Sequence, residues 1–419
     1  MIVSGKPVNY RKAYKIGLAD TVVNHTFLED EVIKYAKYLI EKNVQSNRST
    51  KNKFTNNRIM ASVIKRIAKK GIMKKSKGHY PALLVALDVI VKGFRKPLEK
   101  GLKLEAEKFA ELVVMTQAKN LQRLFFSSEN IKKYNGINSP DVEVSSIHQA
   151  AVFGAGLMGG GIAWVLAKKG MEVRIRDLNW EAIQKGYLQG HKINNQLLKI
   201  RKTKPFQVKN LMDRWSATTS LKGFGSTDIV IEAIIEDMQI KKQTFLDLEK
   251  IVKPSTILAS NTSSLSISEM ANGLEHPERF IGMHFFSPVN RMPLVEVIPG
   301  EKTSDETTVK VVKLAQKCGK MPIVVKNCPG FLINRILMPY INEAIEIYKE
   351  GAEVAEIDGQ IEMFGMPIGP LGLLDEVGID IGLKVSKVLS EGYKGRMTPP
   401  EGLDDLVKEH QFQHNLDHY

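Results

Sequence analysis

The sequence predicts an α/β protein, in which a doubly wound sheet is followed by an all-helical domain and preceded by further helices. Short apolar runs of strand length alternate with helical patterns between about residues 149 and 325, as in sheets covered on both faces. From Pro329 onward only helical patterns remain, and this change marks a domain boundary. We therefore predict three parts, residues 1–143, 144–327 and 328–419.

The composition is that of an ordinary globular protein. Of the 419 residues, 43% are apolar, and no apolar run approaches the length of about 18 residues that a membrane-spanning helix needs. The N-terminus lacks the layout of a signal peptide, and Cys318 and Cys328 are the only cysteines. These features predict no membrane span and a cytoplasmic, reducing environment.

The charge is unevenly distributed along the chain. The formal net charge is +14, yet residues 1–143 alone contain 28 Lys and Arg against 13 Asp and Glu, so the remainder is close to neutral. A basic excess is one signature of nucleic-acid binding. No nucleic-acid motif or pattern of stacking aromatics accompanies it. We therefore expect no nucleic-acid partner and attribute the excess to exposed helix faces or an anionic ligand.

Residues 1–143 are predicted to be helical. Periodic apolar residues indicate helices at residues 10–16, 30–41, 58–70, from Pro81 onward, and as one long helix at about 101–126. Polar or basic runs at residues 43–57 and 74–79 indicate loops, and the region of Pro140 indicates a linker.

The sheet is predicted from apolar runs at residues 150–153, 172–175, 228–233, 256–260, 280–286, 294–298 and 321–325. Helical patterns separate these runs at residues 180–199 and 241–252, and a further helix is expected to begin within residues 261–270. Helices at residues 331–349 and 355–364 form the predicted final domain.

The first strand leads into a glycine-rich turn with the spacing G-x-G-x-x-G, formed by Gly154, Gly156 and Gly159. The first glycine permits the turn, the second lets a pyrophosphate approach the backbone, and the third lets helix and strand pack closely. Free N–H groups at the helix start, near Leu157 and Met158, favour a phosphate. The turn therefore predicts a dinucleotide site.

An acidic residue completes this unit. Asp177 ends the second strand, where its carboxylate can accept from both ribose hydroxyls and repel a 2′-phosphate. NAD is therefore favoured over NADP, although the adjacent Arg176 weakens the preference. The alternative is a glycine turn that binds nothing. The combination of strands, helix and acid favours a Rossmann-type NAD-binding domain instead.

Oxidation of an alcohol by NAD requires a base for the hydroxyl proton. His284 lies at the end of one predicted strand, and Glu296 follows in the next after a turn that contains prolines. Adjacent strands can place the two side by side, so that the carboxylate orients the imidazole. Spacing alone also allows an ordinary core histidine bonded to the backbone.

Four segments, SNTSSLSI, GMHFFSPV, PLVEVIPG and PGFLINRILMPYINEA, follow the glycine turn in this order. Together they resemble L-3-hydroxyacyl-CoA dehydrogenases, and most closely the multifunctional alpha subunits of fatty acid β-oxidation complexes. The resemblance covers nearly the whole chain. It implies NAD-dependent oxidation of L-3-hydroxyacyl-CoA to 3-ketoacyl-CoA, an acyl-CoA substrate, a possible thiolase beta subunit as partner, and possible self-association.

The resemblance also assigns residues. It makes His284 the catalytic base and Glu296 its carboxylate partner. Ser263 matches the serine that contacts substrate and nicotinamide, and Asn334 matches the asparagine near the reacting oxygen. Positions that match cofactor contacts are the glycine turn with Leu157 and Met158, Asp177, Ser263, Ile235, Glu236, Lys241 and Ser287.

Two of these matches carry a second interpretation. Spacing alone indicates that Glu236 and Lys241 are solvent-exposed side chains at the start of a helix. Ser287 stands where the family often has Asn, and its shorter side chain leaves that nicotinamide contact in doubt.

The ends of the chain depart from the family pattern. VSGKPVNYRKAYKIGLADTVV resembles the last part of an enoyl-CoA hydratase domain, whose catalytic glutamates lie earlier in the family. We therefore expect residues 1–143 to be a hydratase remnant with a linker helix, to expose apolar surface, and to lack hydratase activity. The last domain is expected to be incomplete. His410, His414 and His418 recur every four residues, but an altered terminus is favoured over a metal site.

Two alternatives remain. The chain can be a non-catalytic or unstable fragment of a split multifunctional gene, because both ends depart from the pattern. It can also be a single-function 3-hydroxybutyryl-CoA dehydrogenase, although the first 143 residues have no role in such an enzyme.

Overall fold

The computed structural model describes residues 3, 5, 7–43, 57–94, 96–137, 142–394, 396–398 and 400. The chain divides into two compact units, Met1–Leu124 and Phe125–Tyr419. Most of the loop predicted at residues 43–57 lies outside the described residues, as do His410, His414 and His418.

The first unit is helical, as its periodicity predicts. Its helices are α1 (Tyr10–Lys15), α2 (Leu28–Glu41), α3 (Arg58–Ser76), α4 (Pro81–Gly93), α5 (Leu98–Val113) and the start of α6 (Thr116–Lys133).

Two predictions for this unit are wrong. α3 continues to Ser76, so the basic run at residues 74–79 begins as helix, because lysines are favourable near a helix C-terminus. The single helix expected at residues 101–126 is two helices, α5 and α6. The break between these two helices follows Val113 and Val114, whose branched side chains lose rotamer freedom in a helix.

The helices of the first unit expose apolar side chains. Five large examples are 66% to 79% exposed: Ile40, Ile59, Ile67, Leu98 and Phe109. Such exposure was expected for residues 1–143.

The second unit is built on a mixed sheet of eight strands among the described residues. They are β1 (Gln149–Phe153), β2 (Glu172–Arg176), β3 (Trp215–Thr218), β4 (Ile229–Glu232), β5 (Ile257–Ser260), β6 (Phe280–Phe285), β7 (Leu294–Pro299) and β8 (Met321–Val324). Their order is β3-β2-β1-β4-β5-β6-β7-β8, and β6 with β7 is the one antiparallel pair in this sheet. The sequence did not indicate β3.

Helices cover both faces of the sheet, which confirms the doubly wound prediction. They are α7 (Leu157–Lys168), α8 (Trp180–Lys199), α9 (Pro205–Met212), α10 (Met238–Glu249), α11 (Ile267–Met270) and α12 (Asp305–Lys317). One face packs against α7, α8, α9 and α12, and the other against α10 and α11. The helix expected within residues 261–270 is only the four-residue α11.

The amino end of the sheet is held by Asp228. Its Oδ2 accepts the N–H groups of His148 at 2.9 Å and Gln149 at 3.0 Å, and its Oδ1 lies 3.0 Å from Lys253 Nζ. Partial burial alone would raise the pKa of Asp228, but the two N–H groups and the ammonium together lower that pKa below its ordinary value. The charged carboxylate therefore stabilises the fold.

Four helices form the C-terminal part: α13 (Ile333–Lys349), α14 (Val354–Phe364), α15 (Pro370–Val377) and α16 (Ile379–Gly392). They enclose a separate apolar core that includes Met338, Ile341, Ile345, Leu371, Leu374 and Leu389. Buried Asp358 accepts the N–H groups of Leu371 and Gly372 at the start of α15. This satisfies N–H groups that a helix leaves without partners.

Candidate active site

The turn between β1 and α7 requires its glycines. Gly154 has φ +108°, and a Cβ there would lie 2.4 Å from the carbonyl oxygen of Ala233. A Cβ on Gly159 would lie 1.8 Å from the carbonyl oxygen of Gly154. No side chain fits at either position, so the turn holds β1, α7 and the segment after β4 in close contact.

The middle glycine faces open space. Gly156 precedes α7, and a Cβ on it would meet no atom within 4 Å. The helix begins at Leu157 and Met158, whose N–H groups have no partner within the helix. The start of α7 therefore fits the pyrophosphate of a dinucleotide.

Asp177 is tied to this turn. Its Oδ2 accepts the N–H of Ala155 at 2.6 Å, and its Oδ1 accepts the N–H of Leu178 at 2.6 Å. The carboxylate therefore lies beside the phosphate turn at the carboxyl end of β2. The neighbouring Arg176 guanidinium lies 4.3 Å from the ring centroid of Phe153, and burial lowers the pKa of this arginine.

His284 and Glu296 lie side by side. β6 and β7 pair antiparallel with these two residues opposite each other, and His284 Nδ1 is 2.8 Å from Glu296 Oε2. His284 is 6% exposed and Glu296 is fully buried. An ionised carboxylate only accepts hydrogen bonds, so His284 Nδ1 donates, and a neutral ring then has an unprotonated Nε2.

The second oxygen of Glu296 binds the first turn of α13. Glu296 Oε1 accepts the N–H groups of Leu332 at 3.0 Å and Ile333 at 2.9 Å. N–H groups at a helix start favour a negative charge. Glu296 therefore joins the sheet that carries His284 to the helix that carries Asn334.

Asn334 and Ser263 are also linked. Asn334 Nδ2 donates to the carbonyl oxygen of Ser263 at 2.8 Å. The N–H and hydroxyl of Ser263 donate to Glu236 Oε1 at 2.8 Å and 3.0 Å, and the Thr262 hydroxyl donates to the same oxygen at 2.6 Å. One set of hydrogen bonds therefore fixes the serine segment between β4 and α13.

Lys241 is buried, so the interpretation from spacing alone is wrong for it, whereas the Glu236 side chain is 22% exposed and bonded within the protein. Lys241 is 1% exposed, and its Nζ lies 2.5 Å from Glu232 Oε1 and 3.3 Å from Glu236 Oε2. Burial opposes ionisation of Glu236, but Lys241, Thr262 and Ser263 together lower its pKa below the ordinary value. Glu232 and Glu236 hold Lys241 in place, because a buried ammonium is stable only when it is paired with carboxylates.

The two other residues matched to cofactor contacts are exposed. Ile235 is 64% exposed and follows β4 within the segment that Gly154 touches. Ser287 is exposed two residues after β6. Both positions flank carboxyl ends of strands, which is where open α/β sheets bind ligands.

Sequence reasoning missed several residues of this cluster. Glu232 ends the apolar strand β4, and a carboxylate within an otherwise apolar strand is a signal that was available. Thr262 and Ser260 gave no such signal. Asn261, whose Oδ1 accepts the N–H of Phe285 at 2.8 Å, joins the ends of β5 and β6.

No group of three or more His, Cys, Asp or Glu side chains is arranged for a metal ion within the described residues. In the same residues, no helix is long and apolar enough to cross a membrane.

Comparison with known proteins gives two family matches. Residues 149–328 match the NAD binding domain of 3-hydroxyacyl-CoA dehydrogenase, and residues 330–417 match the C-terminal domain of that family. The solved structure of (S)-3-hydroxybutyryl-CoA dehydrogenase from Ralstonia eutropha is 40% identical, with a TM-score of 0.60, and the match covers 63% of this chain and 95% of that chain. The chain belongs to the 3-hydroxyacyl-CoA dehydrogenase family. As in the NAD-binding domain of this dehydrogenase family, its cofactor is NAD.

Two further relatives extend the comparison. The structure of FadB2 from M. tuberculosis is 32% identical with a TM-score of 0.62, and covers 64% of this chain and 95% of that chain. The fatty acid oxidation complex subunit alpha of Vibrio cholerae is 38% identical over an alignment of 419 positions, which covers 98% of this chain and 58% of that protein. The chain thus spans less than two thirds of the length of the curated relatives it matches.

Proposed function

We propose that this chain oxidises L-3-hydroxyacyl-CoA to 3-ketoacyl-CoA with NAD, as a dehydrogenase of fatty acid β-oxidation. The observation that carries the proposal is the buried pair of His284 and Glu296, 2.8 Å apart and joined through α13 to Asn334. This is a general base with a carboxylate that orients it, in a chain with a complete dinucleotide turn.

In this proposal His284 takes the proton of the substrate's 3-hydroxyl group on Nε2. Glu296 accepts from Nδ1 and stabilises the imidazolium that results. Because Glu296 also accepts two N–H groups of α13, its carboxylate cannot rotate away from the ring without losing those bonds.

Asn334 and Ser263 position the oxygen that becomes the ketone. The Asn334 amide donates one N–H to the Ser263 carbonyl oxygen, which fixes the amide plane and leaves the second N–H of Nδ2 to donate to the substrate oxygen. When bound, NAD would supply the acceptor for the hydride that leaves C3. The residues that would hold it are the turn at Gly154, Gly156 and Gly159, and Asp177, with Ile235, Glu236, Lys241 and Ser287 matched to the nicotinamide side.

The remaining predictions concern the domain organisation, the partners and the location of the protein. We infer that residues 1–143 are the tail of a hydratase domain with a linker helix, that residues 144–327 bind NAD, and that 328–419 form the helical dehydrogenase domain. The resemblance implies a thiolase beta subunit as partner and self-association. The small number of cysteines favours a cytoplasmic location. Light scattering of the purified chain, alone and with a thiolase subunit, tests the first two.

The test of the activity is oxidation of NADH by the purified chain with acetoacetyl-CoA, followed by longer 3-ketoacyl-CoA substrates. We expect turnover with both. Turnover with acetoacetyl-CoA alone would favour a single-function 3-hydroxybutyryl-CoA dehydrogenase. Intact NAD binding without turnover of any substrate would contradict the proposal and favour the non-catalytic fragment.

A further inference from the structure

The carboxyl end of β4 holds a buried carboxylate to which the mechanism above gives no role. Glu232 is fully buried. Its Oε1 accepts from Lys241 Nζ at 2.5 Å and from the N–H of Ile234 at 2.7 Å, and its Oε2 accepts the hydroxyl of Ser260 at 2.6 Å. All three donors lie near the carboxyl ends of the parallel strands, where the glycine turn also lies.

A short series of contacts leads from Glu232 to the serine of the site. The Lys241 ammonium that Glu232 holds also lies 3.3 Å from Glu236 Oε2. The other oxygen of Glu236 accepts both the N–H and the hydroxyl of Ser263. Removing the Glu232 charge would therefore leave Lys241 with Glu236 as its carboxylate partner, and the ammonium would draw Glu236 from the position that holds Ser263.

Stability does not explain why β4 ends in a charged residue. Burying an ion pair costs several kcal/mol of desolvation, and replacing such pairs by apolar residues is often neutral or stabilising, on the order of 1–4 kcal/mol. Complete burial also raises the pKa of Glu232, against the effect of its donors. An apolar residue, as elsewhere in β4, would cover the sheet equally well.

We infer that Glu232 is a positioning residue, which fixes Lys241 and Glu236 and through them holds Ser263 in the geometry that turnover requires. The part of this inference that concerns turnover rests on the proposed function. The part that concerns the serine segment does not.

The kinetic test is a double-mutant cycle between Glu232→Gln and Ser263→Ala. Glu232→Gln should lower kcat about tenfold, since small misplacements of positioned groups cost rates of this order or more. In the Ser263→Ala background the same change should cost less than about twofold, because the group it positions is already gone. Equal losses in both backgrounds would overturn the inference.

Glu249→Gln is the matched control. Glu249 is also a carboxylate in an ion pair, 3.2 Å from Arg279 Nη2, with both side chains less than 9% exposed. It lies at the end of α10, away from the serine segment. Its loss should lower stability, and any change in kcat should be the same with and without Ser263→Ala. A control that reproduced the Glu232→Gln coupling would show that the effect is general destabilisation.

Hydrogen exchange of the cofactor-free chain gives a readout that needs no turnover. In Glu232→Gln, peptides that contain residues 261–266 should exchange about tenfold faster, because the Ser263 N–H loses its fixed acceptor. In Glu249→Gln their exchange should stay unchanged. If the chain has no dehydrogenase activity, this measurement alone decides whether Glu232 positions the segment, and unchanged exchange overturns the inference.

Should Glu232→Gln fail to fold, Ser260→Ala replaces it. This change removes one hydrogen bond to Glu232 and keeps the charge, but it also removes the acceptor of the Thr262 N–H. The kinetic coupling to Ser263→Ala is therefore the readout for this variant, and it is expected at about a third of the size. Absence of that coupling in a folded Ser260→Ala protein overturns the inference.

Discussion

Glu296→Gln should damage catalysis much more than stability. The substituted amide has one acceptor oxygen and one donor group where the carboxylate has two acceptors. If its oxygen keeps the N–H groups of Leu332 and Ile333, its NH₂ group faces His284 Nδ1. That nitrogen must then accept, so Nε2 carries the proton and can no longer act as a base.

The opposite orientation is worse for stability. The NH₂ group would then face two N–H donors in a fully buried site, and each unsatisfied donor costs about 1–3 kcal/mol. The first orientation should therefore prevail. It replaces three charge-assisted hydrogen bonds by neutral ones, at a cost of about 1 kcal/mol each. Turnover should fall by about 10²–10⁴-fold, as for other losses of a general base.

The assay is the rate of NADH oxidation with acetoacetyl-CoA, together with urea unfolding and calorimetric NAD binding. Glu249→Gln serves as control, because it neutralises another ion-paired carboxylate outside the site. NAD affinity should stay within a few-fold of the unaltered chain. A Glu296→Gln chain that kept more than a tenth of normal turnover would refute the tautomer argument.

Three further outcomes are expected. Asp177→Ala should weaken NAD more than NADP, because in the proposed site the carboxylate accepts ribose hydroxyls and repels a 2′-phosphate. Equal affinity of the unaltered chain for both cofactors in a titration would contradict this. The lowered pKa of Asp228 makes its stabilisation fully present above its unfolded value of about 4 and lost as the pH falls through its folded-state value. Thermal unfolding between about pH 6 and pH 2.5 should therefore show a steeper acid loss in the unaltered chain than in Asp228→Asn, and parallel curves would argue against it. The 419-residue chain should not hydrate crotonyl-CoA, since the glutamates of α5 lie exposed on a helix rather than paired beside an oxyanion turn; hydration that follows the protein through a second purification would disprove this.

Local pattern was sufficient to predict the dinucleotide unit. The turn at Gly154, the helix after it and the acid Asp177 lie within about thirty residues, and each has its own signal. The edge strand β3 was missed because WSAT is short and half polar and pairs only with β2. The hydrophobic sequence pattern identifies strands made of apolar runs much better than short, partly polar edge strands.

The polar cluster depended on tertiary contacts that no pattern encodes. His284 and Glu296 could be proposed as a pair, but their register depends on the turn between β6 and β7. The burial of Lys241 follows from Glu232, nine residues earlier on another element. Glu296 also binds the start of α13, and nothing in the sequence relates that carboxylate to Leu332.

The most direct test of the account is the turnover of His284→Gln at saturating NADH and acetoacetyl-CoA, measured on a protein whose NAD affinity and unfolding are shown to be intact. The account predicts a loss of about 10²–10⁴-fold, because His284 is the base that takes the hydroxyl proton in the proposed mechanism. Near-normal turnover would contradict the assignment of His284 as the base.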